Sequence, residues 1–519
     1  MKKAPPRLLL VLIALLVTTS YTNAVLSIVE TVGLEDIEKG DDTDNTSNEI
    51  RSGFRLLKSG LNEQAFKEFN IAANRGELTA YMALGVMHRD GLGTPENLKL
   101  AKANFKKAYD KGNTAARDEL VFLRFAAPET PEEFSTARTR LEKYARNGMA
   151  VAQLRLGMAH LTGYGYTADA TKAINYLTQA TESTGTSRSN AAFALGQLFR
   201  DGNLDPEVKP DSKRAETWLK IAAEGKHLGA IRALGEFYLS TDPNRQNFAA
   251  AKTWFSLLDQ LGDPYALYYL GEMSESGSGC QKSQETALNY YQRAAKKEVP
   301  PAIYRLAYFH EHGLGGLKED KDRAIDLYRQ GAGLGHSVCM YNLSVMLDAM
   351  DDKPDIKAEV IPWLLRSASA GLADAEYSAG MRYHEGNGVQ QDFIAAAAWF
   401  DRASRSGHSQ AQLNLGVYYE NGQGLVRDYR SARRLFELSA KGGNPAGQIK
   451  YAEALANGAG GKQDLPEAYF YAQTAAKAPD NPVAEIAIKL RDVLTRTMTP
   501  EQLAEGMRLL NEPASQATK

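Results

Sequence analysis

Residues 373–408 read ADAEYSAGMRYHEGNGVQQDFIAAAAWFDRASRSGH, and residues 409–444 read SQAQLNLGVYYENGQGLVRDYRSARRLFELSAKGGN. The two stretches are copies of one unit. In the second, Ala411, Leu415 and Tyr419 stand at i, i+4 and i+8, on one face of a helix. In the first, Ala396, Trp399, Phe400 and Ala403 form another helical stripe after a Gly-x-Gly break. Nothing alternates with a period of two, so strands and propeller blades are disfavoured. Gly422 and Gly424 supply the turn between the helices, where a positive φ suits glycine, and Gly407 ends the second helix. The unit is an αα-hairpin.

Working outward, the leucine of the Leu-Gly pair recurs as Leu84, Leu156, Leu195, Leu234, Leu270, Leu306, Leu343, Ala379, Leu415 and Tyr451. Most spacings are 36 to 39 residues; the first, 72, is two periods, with a degenerate copy around Leu120. A fixed period of this size marks stacked supersecondary units. The glycine after the leucine (Gly85, Gly157, Gly196, Gly235, Gly271, Gly416) lies inside a helix, at a cost of about 1 kcal/mol relative to Ala. A close helix crossing at that point explains the cost.

The pattern Ala-x-x-x-Leu-Gly-x-x-Tyr-x-x-Gly-x-Gly, followed by Ala-x-x-Trp-Tyr-x-x-Ala-x-x-x-Gly, resembles the Sel-one-like repeat family, a branch of the tetratricopeptide-like solenoids. The resemblance spans residues 50–478 and implies an all-α, right-handed αα-hairpin superhelix of about 11 hairpins. Two copies depart from it. Residues 114–149 lack Leu-Gly and Gly-x-Gly, and residues 338–371 carry Ser344 and no glycine loop; each marks a bend or a changed loop. Residues 479–512 are expected to form C-terminal capping helices. Thr499-Pro500-Glu501-Gln502 reads as a capping box with proline at the first helical position, and residues 513–519 read as a disordered tail.

The 519 residues would suggest three to five globular domains, and the repeat replaces these with one elongated array. A net charge of −2 argues against a phosphate-coating nucleic-acid binder. A mean hydropathy of −0.40 excludes a polytopic membrane protein. Lys2, Lys3 and Arg7, the apolar run Leu8–Val17 and the small-residue end at Ala24 read as a secretory signal over residues 1–24. An uncleaved anchor is the alternative. Residues 25–49 read as a disordered acidic linker.

Trp218, Trp254, Trp363 and Trp399 share one slot of the second helix, which reads as core; truncating Trp399 is therefore expected to cost several kcal/mol. His88, His160 and His310 replace aromatics at one slot, and His310-Glu311-His312 diverges too far around a helix to hold zinc. Cys280 and Cys339 fall two copies apart, beyond disulfide reach, and are expected as free thiols. Nucleophile elbows, phosphate loops and dinucleotide fingerprints are absent. No catalytic residue, metal or cofactor is expected, and the chain reads as non-enzymatic. The arginines of residues 427–434 read as a solvated face.

One stripe carries a functional expectation. Positions two before and two after the leucine point about 160° and 200° away from the core. In tetratricopeptide-like solenoids that face is concave and binds partners. Its candidates are Tyr268, Tyr304, Tyr341 and Tyr377, with Tyr308, and with Glu236, Glu272, Arg232 and Arg305 setting charge preference. Tyrosine suits interfaces because it offers rigid area with a polar tip. The competing reading packs the same slot against the neighbouring repeat. The expected function is that of an exported monomeric scaffold, periplasmic or secreted by a bacterium, binding a protein or peptide. Nucleic acid is not an expected partner, and membrane contact is expected only through an uncleaved signal. The resemblance implies envelope complex assembly or host engagement. A polysaccharide- or cell-wall-binding auxiliary is the alternative. An ER-lumen adaptor is a further one, allowed by sequons at Asn45 and Asn342, although Asn342 directly precedes a core leucine.

Overall fold

Glycine and short polar residues punctuate the chain, and the helices start and stop at them. The computed structural model describes residues 47–202, 208–350, 354–477 and 483–511, and these hold 26 helices and no strand. The signal, most of the linker and the tail expected from the sequence lie outside the described residues. Second helices open on a side-chain cap: Asn97, Asp169, Asp211, Asn247, Ser283, Asp320, Asp392 and Asp428 each accept a backbone N–H from the first turn. The N–H of the same capping residue donates back to the first helix, four residues after the core leucine: Asp392 N to the Tyr383 carbonyl at 2.9 Å and Asp428 N to that of Tyr419 at 3.0 Å. Gly422 (φ 70°) and Gly424 (φ 66°) make the turn between.

The contacts divide the chain into two units, Met1–Ala266 and Leu267–Lys519. In each, consecutive helices pack on one another, so that a first helix lies on the second helix of its hairpin and that second helix lies on the first helix of the next, as in Ala373–Glu385, Phe393–Arg405 and Ser409–Asn421. Twelve hairpins fill residues 48–477, one more than the sequence count. The extra one pairs Asn48–Lys58 with Asn62–Asn74; its leucine slot holds Ser52, which hid it, but Gly53 is kept and faces Phe69. Both degenerate copies are hairpins too. Thr114–Ala126 and Pro131–Arg146 are joined without glycine, and Thr130 caps the second helix by accepting from Glu133 N at 3.1 Å. Ala484–Thr497 and Pro500–Asn511 close the array against Leu465–Lys477. The capping box forms reciprocally: Thr499 N donates to Gln502 Oε1 at 2.9 Å, and Gln502 N donates to Thr499 Oγ1 at 3.3 Å.

The leucine slots are buried in both units. The intrahelical glycines sit where expected. A Cβ on Gly271 would lie 2.6 Å from Tyr291 Cε1, and one on Gly380 would lie 2.6 Å from Phe400 Cδ1. The tryptophan reading is corrected. Trp218, Trp254, Trp363 and Trp399 are only half-buried, while the residues after them, Leu219, Phe255, Leu364 and Phe400, are buried. One residue is about 100° of helix rotation, which carries the indole to the flank of the core. There Arg366 lies over Trp363 (4.9 Å) and Arg402 over Trp399 (4.6 Å).

Candidate functional site

The first helices of the Leu267–Lys519 unit bring most of the expected stripe together. Tyr268, Tyr304, Tyr341 and Tyr377 are all half-buried. Each ring reaches neighbouring elements. Tyr304 tilts on Tyr328 of its own hairpin and on His336, which opens the next one, at 6.2 and 5.9 Å. Tyr377 stacks on His408 at 4.6 Å and 17°, and tilts on Phe400. The Tyr341 hydroxyl lies 3.2 Å from Ser378 Oγ in the next copy, and the Tyr268 hydroxyl donates to Glu272 at 2.6 Å. Two residues after the leucine slot stand Tyr308, Val345, Met381 and Val417; Val345 is 48% exposed and the other three are half-buried like the tyrosines. Asn342, Ser378 and Asn414 add neutral polar groups one residue before the leucine slot. The side chains of this part of the stripe are aromatic, aliphatic and neutral polar.

Of the charged candidates, Glu272 accepts from Tyr268 on its own helix, whereas Arg305 and Arg232 are engaged with neighbouring repeats. Arg305 forms an ion pair with Glu275, its Nε 3.2 Å from Oε2, and the same carboxylate accepts the Tyr291 hydroxyl at 2.7 Å. The Arg305 guanidinium also lies 5.0 Å from the Tyr308 ring, and Tyr308 stacks on His312 at 4.2 Å. In the other unit, Arg232 pairs with the buried Asp263 at 2.6 Å, and Glu236 is exposed within electrostatic reach of Arg200. The Arg305 pair follows a rule that the Arg232 pair does not. A residue five after one leucine pairs with a residue one before the next, as in Arg89–Glu119 (2.8 Å), Glu275–Arg305 and Glu420–Lys450 (3.1 Å). One such pair bridges each of these junctions.

Sequence reasoning missed a set of capping histidines. His227, His336 and His408 each stand directly before a first helix, and Nδ1 of each accepts a backbone N–H three residues on. Asn113 and Asn444 do the same job in other copies, so alignment of the copy boundaries would have revealed them. An imidazole can accept at Nδ1 only when that nitrogen is unprotonated. Burial lowers the His227 pKa from 6.5 to about 4, and Phe193 packs on the ring at 4.3 Å. The folded state thus binds the proton more weakly than the unfolded one. Stability is complete above the ordinary histidine value and falls as pH drops from 6.5 toward about 4. His227→Asn keeps a cap without the titration. It is expected to flatten that part of the stability–pH curve in denaturant melts, whereas an unchanged slope would assign the acid sensitivity elsewhere.

His336 Nδ1 is also 3.2 Å from Cys339 Sγ, a spacing that suggests a nucleophile and its base. Burial argues otherwise: it pushes the thiol up to about 12 and lowers the imidazole, so both stay neutral near pH 7. Cys280 and Cys339 are free, and Cys339 is buried. Among the described residues, no cluster of three His, Cys, Asp or Glu could hold a metal, and no helix is long and apolar enough to cross a membrane.

The Sel1 repeat model matches residues 78–113, 150–184, 189–227, 264–299, 300–336, 373–408, 409–444 and 445–480, together more than half of the chain. The chain belongs to the Sel1 repeat family. The longer gaps in that match, residues 114–149, 228–263 and 337–372, are the three copies with no glycine in the loop between their helices. Similar proteins include an uncharacterised protein of Neisseria meningitidis, 26% identical over 48% of this chain and 58% of that one. They also include a chitin synthase regulator of Saccharomyces cerevisiae, 26% identical over 52% of this chain and 35% of that one. The chain thus spans between a third and three fifths of the length of these relatives. Among solved structures, a protective antigen of uropathogenic Escherichia coli with an SLR fold is 25% identical. It covers 86% of this chain and 93% of its own, with a TM-score of 0.46. A Sel1 repeat array is a helical scaffold of the protein-interaction type, typically without catalytic activity.

Proposed function

We propose that this Sel1 repeat chain is an exported, non-enzymatic scaffold that binds a protein or an extended peptide along the first-helix stripe of residues 267–519, in envelope complex assembly or host engagement. The observation that carries the reading is the ridge of Tyr308, Val345, Met381 and Val417 beside the tyrosines on successive first helices. Partly exposed aliphatic and aromatic side chains with neutral amides between them suit the apolar side chains and backbone of a peptide. Export rests on the sequence of residues 1–24.

The yeast relative named as a chitin synthase regulator keeps a second reading in view, that of a protein acting in polysaccharide or cell-wall chemistry by binding the polymer. Sugar stacking needs open ring faces. His408 covers one face of Tyr377, and Tyr304 is flanked by Tyr328 and His336, so the geometry favours a peptide over a glycan. The test is in vivo cross-linking from the stripe followed by mass spectrometry, comparing the native chain with Val345→Glu. Val345 is half-exposed, so the charge should abolish the partner cross-link without moving the melting midpoint. A cross-link that survives, or a glycan array signal in place of a protein, sinks the proposal.

A further inference from the structure

A second surface lies away from the first-helix stripe, on the successive second helices Phe393–Arg405 and Tyr429–Lys441 and the loop before the latter. The loop before Tyr429 sits on the start of the preceding second helix: a Cβ on Gly424 would lie 2.6 Å from the Phe393 carbonyl carbon and 3.0 Å from Ile394 N. Around this seam, Val426 is 88% exposed, Ile394 69% and Tyr429 47%. An open pocket beside them is lined by Tyr383, Val389, Phe393 and Ile394 together with Gln390, Gln391 and Asp392, whose carboxylate is already engaged in capping the helix. Scattered exposed aliphatics are ordinary, but adjacent ones around a concavity mark a place where something docks.

Arg427 and Arg430 stand beside Val426 and Tyr429 in the chain, Arg434 lies one helical turn beyond Arg430, and all three are exposed; Asp428, within electrostatic reach of Arg430, stands among them. Among the described residues none of them makes an ion pair; Arg427 reaches only the Asn421 carbonyl, at 3.4 Å. The repeat itself does not require them. The corresponding residues are Gln391, Ile394 and Ala398 in the copy before, and Gln463, Pro466 and Phe470 in the copy after. The arginines at the repeat junctions, by contrast, hold carboxylates. The three cations of the seam therefore come from one copy, and its exposed apolar side chains come from that copy (Val426, Tyr429) and the one before (Ile394).

The geometry points to this seam as a docking site for an acidic protein segment, with an aliphatic or aromatic anchor entering the pocket and carboxylates meeting Arg427, Arg430 and Arg434. Guanidinium forks match carboxylates, and a positive rim raises the capture rate of an acidic partner. An anionic bilayer would also meet the charges, but it offers no side chain to fill a pocket, so the concavity favours the peptide.

The test uses the full chain and a fluorescein-labelled synthetic peptide alternating Asp or Glu with Leu and Phe. Its twin carries Asn and Gln at the acidic positions. Fluorescence anisotropy should show salt-sensitive binding of the acidic peptide and at least tenfold weaker binding of the twin. Arg427→Gln, Arg430→Gln and Arg434→Gln combined should weaken acidic-peptide binding by about tenfold or more, as loss of several rim charges does. Ile394→Ser with Val426→Ser should weaken it while leaving its salt dependence in place. All five positions are exposed, and unchanged melting curves would show that the variants fold. Equal binding of the two peptides, an unaltered affinity of the arginine variant, or binding only to phosphatidylglycerol-containing vesicles would overturn the assignment.

Discussion

Phe400→Ala is expected to lower stability by about 3–5 kcal/mol, whereas Trp399→Ala one residue earlier should cost about 1–2 kcal/mol. The difference follows from one step of helix rotation. Phe400 is fully buried, and its ring fills the crossing with Ala373–Glu385, lying against Gly380 and edge-on to Tyr418 at 5.6 Å. Removing it opens a cavity that Gly380 cannot fill and strips a contact from the next hairpin. Trp399 is half-buried on the flank, and Arg402 covers its outer side. In a repeat array each hairpin is stabilised chiefly by its neighbours, so the loss should appear first as local opening around residues 373–421. Denaturant melts give the size of the effect, and hydrogen exchange gives its place. Comparable losses for the two variants would return the core slot to the tryptophan.

The same pair of residues shows what the sequence could and could not convey. Glycine after leucine is legible because it is costly inside a helix, and a repeated cost needs a repeated cause; the rings packed over Gly235, Gly271, Gly380 and Gly416 are that cause. The tryptophans misled because a slot that recurs in every copy need not face the core, and only helical phase separates Trp399 from Phe400. Arg232, on the stripe, and Arg305, one residue off it, were legible as charged, but their carboxylates are about 30 residues away. The spacing was nevertheless written in the repeat. Glu275 stands five after Leu270, and Arg305 stands one before Leu306, a pairing that the 36-residue period brings face to face. The capping histidines were hidden differently, because a histidine at a cap acts through one ring nitrogen, and composition says nothing of that. What a partner would touch is the least legible part, since the tyrosines of the stripe serve packing and surface at once.

Gly380→Ala is expected to destabilise the protein by about 1–3 kcal/mol, against the gain of about 1 kcal/mol that alanine normally brings to a helix interior. Gly380 lies within Ala373–Glu385 at an ordinary helical backbone angle, so backbone strain is not the obstacle. The obstacle is the Phe400 ring, whose Cδ1 and Cε1 would both stand 2.6 Å from the new methyl. The ring has little room to retreat, because Tyr377 and Tyr418 pack on it at 5.9 and 5.6 Å. The sign should therefore reverse when the ring is removed. In a Phe400→Ala background, Gly380→Ala should be neutral or stabilising by up to about 1 kcal/mol, since helix propensity is then unopposed and the methyl fills part of the cavity. The last hairpin of the repeat provides a natural precedent, for Ala452 and Ala472 occupy these two slots and both are fully buried. A double-mutant cycle in denaturant melts should give a coupling of about 2 kcal/mol or more between positions 380 and 400. Additive effects would mean that the repeated glycine answers to something other than the crossing of the two helices.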